Sequence, residues 1–184
     1  MTISTAQTIA FALGLVACGI AACTDLASRR VPNALTLPLL AVAPLLAAFD
    51  GLHAALVACT IVVVALVGGI VLHGSGILGG GDVKLLAGAG ALAGYPACVE
   101  VALYSAVCGG ILAIAVAVVR GDLAGVLSRV RVGVATTIAG RSIAVGAAAI
   151  DTCGTRIPYA VAIGAGFAMA VAGVTLFPVL RIVQ

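Results

Sequence analysis

Residues 54–72 read AALVACTIVVVALVGGIVL and hold no Asp, Glu, Lys or Arg. About 20 mostly apolar residues in a helix cross the hydrocarbon of a bilayer. This run is apolar on every face rather than along one stripe, and such a helix offers no surface to water. The other backbone arrangement stable in lipid is a closed β-barrel, whose strands alternate apolar and polar over about 10 residues. No such alternation is present in 54–72. The stretch therefore reads as a transmembrane helix.

The rest of the chain repeats the pattern. Hydrophobic residues make up 64% and charged residues 8%, and mean hydropathy is +1.34. A soluble domain carries about 25% charged residues to cover its surface, so a soluble fold is excluded. Disorder requires polarity and a coiled coil requires flanking charges, and both are excluded with it. Runs almost free of charge lie at 6–24, 31–49, 54–72, 83–99 (with Lys84 at its start), 101–119 and 157–180. The expected fold is an all-α polytopic membrane protein, a single embedded domain over 1–184 with six transmembrane helices and one longer loop over 120–156. Within that loop Leu123, Val126, Leu127, Val130, Val134 and Ile138 recur near helical spacing. An amphipathic helix on the inner leaflet and an ordinary cytoplasmic loop both fit that spacing.

Six spans sort the connections into two sets. Of the nine Lys and Arg, all but Arg181 fall in residues 25–30, 73–84 and 120–156. Loops rich in Lys and Arg stay in the cytoplasm, so both termini are expected outside. Leu15-Val16-Ala17-Cys18 loosely resembles a lipoprotein cleavage box, but Met1–Gln7 lacks the basic residues of a signal peptide. The first run is expected to be a retained helix. Six cysteines without a CxxC pair read as small hydrophobes in membrane helices rather than as cystines. His53 and His73 bracket one span, about 30 Å apart at 1.5 Å per residue, and do not make a zinc site.

Six acidic residues can be weighed singly. Asp50 and Glu100 fall in short outer turns and Asp122 and Asp151 in the long loop, where a solvated carboxylate needs no further account. Asp25 closes the first span and Asp82 opens the fourth, so both arrive at the cytoplasmic membrane boundary. Two carboxylates meeting there can share a proton, activating water while protonating a leaving amide. Topology alone favours the plainer reading, two unrelated interfacial acids beside Arg29, Arg30 and Lys84. Gly79-Gly80-Gly81 directly precedes Asp82 and lets backbone bend close to a substrate strand. The Gly74–Gly81 loop is expected to pair with an unwound substrate. Gly74-Ser75-Gly76-Ile77-Leu78-Gly79 spells GxGxxG, but it follows a spanning helix instead of the strand a dinucleotide site requires.

Gly79-Gly80-Gly81-Asp82-Val83-Lys84 resembles the GxGD signature of the bacterial prepilin peptidases, membrane aspartyl proteases also similar to preflagellin peptidases and, distantly, presenilins. Asp25 followed by Arg30-Val31-Pro32-Asn33 resembles the family's first catalytic Asp and its Arg-Ile-Pro-Asn element, with Val31 in place of Ile. Ile157–Gly166 resembles its Pro-Tyr-containing last helix. The resemblance implies Asp25 and Asp82 as the catalytic pair, acting through water with no metal, cofactor or covalent intermediate. It implies Gly79, Gly81, Lys84 and Asn33 as an active-site loop and substrate contacts. The substrates implied are prepilins or pseudopilins in the bilayer of a bacterial inner membrane, with no nucleic-acid partner. Longer relatives carry a CxxC-paired cytoplasmic insertion and N-methylate the new terminus. This chain has no room for that insertion between its first two spans, so it resembles the short peptidases of tight-adherence (Flp) pili, without methyltransferase activity. The competing reading is a non-catalytic membrane subunit for transport or pilus assembly, with Asp25 and Asp82 binding ions.

Overall fold

The computed structural model describes residues 4–74, 78–121, 125, 128, 131 and 158–173. Among these, six helices are formed: α1 (Thr5–Ser28), α2 (Asn33–Ala48), α3 (Leu52–Gly74), α4 (Gly80–Ala93), α5 (Ala97–Val119) and α6 (Tyr159–Val171). Their ends follow from local chemistry. The Ser4 hydroxyl caps α1 by accepting the Gln7 N–H at 3.0 Å. At the other end Arg29 turns left-handed at φ 54° and donates its N–H to the Asp25 carbonyl at 2.8 Å. Pro32 opens α2, whose interior holds Pro38 and Pro44. Prolines of this kind are tolerated in membrane helices because neighbours take up the freed carbonyls.

Helices α1, α3 and α5 are each long and apolar enough to cross a membrane, with hydropathies of 2.0, 2.9 and 2.3, and α2 and α6 are shorter apolar helices. The chain is an integral membrane protein. Leu56, Val63, Val64, Val67 and Ile70 of α3 all face outward. In water this face would be a large apolar patch; against lipid tails it costs nothing.

Helix α4 lies at the centre and packs on each of the other five, which surround it in the order α3, α2, α1, α6, α5. Its residues explain the position. Ala87 to Ala93 alternate alanine with glycine or leucine, and every one is buried. Small residues let helix backbones approach closely where no hydrophobic effect drives association. Gly69 of α3 meets Val83 of α4, and Gly88 of α4 meets Leu39 of α2.

Three expectations are corrected. The fourth run, 83–99, is not one helix: α4 starts earlier, at Gly80, and ends at Ala93, where Gly94 takes φ +73° and Pro96 then caps α5. A count of apolar residues does not register that break. Glu100 consequently sits in the first turn of α5 and is 4% exposed, not solvated in a turn. Gly80 and Gly81 are helical, so they do not offer the extended edge expected of the Gly74–Gly81 loop. The rest of that loop, residues 75–77, the 120–156 loop apart from a few positions, and the end of the 157–180 run fall outside the described residues. Cys18, Cys23, Cys59, Cys98 and Cys108 are free thiols.

Candidate active site

Asp25 occupies the last turn of α1 and is 7% exposed. The C-terminal end of a helix presents unpaired carbonyls and disfavours a carboxylate. A second helix end compensates. Pro158 begins α6 without any side-chain cap, and the Ala160 N–H in its first turn donates to Asp25 Oδ2 at 3.2 Å. The carboxylate at the end of α1 thus serves as the cap that α6 lacks in its own sequence, at the positive end of that helix.

Asp82 lies in the first turn of α4, three residues after the N-cap Gly79. Its carboxyl folds back to accept the Gly79 N–H, the acidic half of a capping box. Gly79 makes room for this: a Cβ there would stand 2.7 Å from Asp82 Oδ2. The other oxygen, Oδ1, is buried and has no hydrogen-bond partner among the described residues. The Asp25 charge acts on Asp82, and the Asp82 charge acts in turn on Tyr159, the first residue of α6. The end of α1 and the starts of α4 and α6 therefore hold both acids within electrostatic reach of each other.

The other residues singled out from sequence gather around the same helix start. Gly81 packs against the turn after α1, where a Cβ would lie 3.0 Å from both Cβ and the carbonyl oxygen of Val31. Lys84 Nζ donates to Asn33 Oδ1 at 2.9 Å, joining α4 to the start of α2. That contact puts two of the residues expected to touch substrate in direct contact with each other.

Residues outside the expected site also take part. His73 Nδ1 donates to the Leu78 carbonyl at 2.9 Å, and its ring lies beside Gly80. Tyr159 lays its ring on α5 at Gly109, where a Cβ would be 2.7 Å from Cε2. Proline at 158 marks a helix start, and it alone in the sequence hints at this contact, because the amide that meets Asp25 belongs to the backbone and has no residue letter.

Chemically, the pair can hold a proton on one carboxyl while the other accepts one from water, which suits hydrolysis of an amide. No curated protein and no solved structure matches the chain. The model of the type IV leader peptidase family matches residues 12–114. That stretch runs from α1 into α5 and contains Asp25, Asn33, Gly79, Gly81, Asp82 and Lys84. Since the match spans more than half of the 184 residues, and Asp25 and Asp82 both lie inside it, the chain is a member of the type IV leader peptidase family, membrane proteases that process prepilins.

Proposed function

We propose that this protein is an aspartic endopeptidase that removes the basic leader of Flp-type prepilins, with Asp25 and Asp82 as its catalytic pair. The observation that carries the reading is the meeting of these two acids, from helices separated in sequence, at one end of the bundle. In the reaction one carboxylate takes a proton from water, whose oxygen attacks the scissile carbonyl. The protonated partner delivers its proton to the amide nitrogen as the C–N bond breaks. Asp82 Oδ1, buried and without a hydrogen-bond partner among the described residues, is the oxygen with acceptor capacity left for water or substrate.

The same reading places six spans in a bacterial inner membrane, as one embedded domain, with both termini outside and the acids at the cytoplasmic boundary. The distribution of Lys and Arg supports that orientation. A prepilin whose basic leader stays in the cytoplasm presents its cleavage bond at the same depth. Lys84 and Asn33, joined beside Asp82, are the contacts for substrate entering there. The short connection between α1 and α2 supports a peptidase without methyltransferase activity.

The test is to mix purified protein in detergent with a purified Flp-type prepilin and follow products by mass spectrometry. A free leader and a mature pilin of complementary mass are expected. An uncut prepilin alongside a well-folded protein would return the chain to the reading of a non-catalytic subunit.

A further inference from the structure

The contact between Ala160 and Asp25 raises the question of what fixes the height of α6. Its contacts answer it. Gly166 lies against Ser105 of α5, where a Cβ would be 2.5 Å from the backbone nitrogen. Gly164 meets Cys18 of α1, and Phe167 lies against Gly14 of the same helix. These points hold the distal part of α6. At the end that bears the Ala160 amide, the Tyr159 ring lies against Gly109, a buried position on α5.

We propose that Gly109 is a positioning residue for the peptidase reaction. By leaving room for the Tyr159 ring against α5, it sets the start of α6 where the Ala160 N–H holds Asp25 beside Asp82. This inference rests on Asp25 and Asp82 being the catalytic pair. Gly109 touches neither acid and acts through Tyr159 and the first turn of α6. A methyl group at 109 would meet the ring at 2.7 Å. Relief to ordinary contact requires the end of the ring to give way, and where the start of α6 moves with it, a displacement of about 1 Å can cost about 10²-fold in rate. The Asp25 charge acts on Asp82 of α4 and the Asp82 charge on Tyr159 of α6, the Ala160 N–H of α6 donates to Asp25, and Lys84 of α4 is engaged by Asn33. Displacing α6 therefore moves the Ala160 donor relative to Asp25 and leaves the charges of α1 and α4 as they are.

The experiment measures kcat and KM on a purified prepilin for the wild type, Gly109→Ala, Tyr159→Phe, and Gly109→Ala combined with Tyr159→Leu, with thermal melting in parallel. Gly109→Ala is expected to lower kcat about 10²-fold with KM within about twofold. Tyr159→Phe keeps the ring and removes only the hydroxyl, so it separates the ring's packing from the hydroxyl. The double variant, which trims the ring that the new methyl strikes, is expected to recover at least about tenfold over Gly109→Ala. Full turnover in Gly109→Ala would overturn the proposal. So would a loss in Tyr159→Phe equal to that in Gly109→Ala, since it would make the hydroxyl the active part. A double variant no better than the single would overturn it as well, even if Gly109→Ala melts early. The acid pair is judged separately by Asp25→Asn and Asp82→Asn, which lose activity whether or not Gly109 positions α6.

Discussion

Asp25 and Asp82 each stand at a helix terminus, yet by different routes: Asp82 caps its own helix, and Asp25 caps a helix that begins far along the chain. An asparagine is isosteric in either place but cannot take or give the proton. Asp25→Asn and Asp82→Asn are each expected to lower kcat by roughly 10²–10⁴-fold while inserting normally, as measured by product formation and by membrane fractionation. The matching control is Asp50→Asn, an exposed acid expected to be silent. Glu100→Gln would not serve, since that side chain is packed into the bundle near Tyr104. Asn33→Ala frees Lys84 at an exposed position, where losing one hydrogen bond should shift unfolding by no more than about 1 kcal/mol. A larger drop in cleavage than in stability would mark the Asn33–Lys84 pair as a substrate contact.

Among the elements, α4 is decided by small residues, and its start is the most sensitive point. A side chain at Gly81 meets the Val31 carbonyl oxygen as well as its Cβ. Overpacking of this kind costs about 1–3 kcal/mol. Gly81→Val is therefore expected to lower the melting temperature and slow cleavage, and adding Val31→Ala should restore neither, because the clashing backbone oxygen and Cβ remain. A Gly81→Val protein with wild-type melting and turnover would make that packing irrelevant. Apolar runs in the sequence carried the helices well, because a chain in lipid has no polar face to place. They failed where the run stayed apolar while the backbone broke: Gly94 and Pro96 end α4 inside an uninterrupted stretch, and the two residues were the available sign. The three glycines before Asp82 were legible as points where backbone can bend and approach closely, but Gly80 and Gly81 were not legible as helical. Gly109 was invisible, since a glycine within a membrane helix says nothing of which ring will lie on it.

At the scale of the whole molecule, the orientation proposed for the bundle is open to direct measurement. Alkaline phosphatase fused after Gly51 is expected to be active outside the cell and, fused after Gly121, inactive inside it; the opposite pattern would invert the topology. Activity that rests on two carboxylates should also survive chelators, and inhibition reversed only by zinc would point to a different chemistry. The partner of Asp25 lies 135 residues further along the chain. Ribosomes add about 5–20 residues each second, so α1 waits about 7–27 s in the membrane before the amide at 160 has even been synthesised. Through that interval the nascent chain holds one acid without its counterpart helix end, and a prepilin made on a neighbouring ribosome meets an unfinished enzyme.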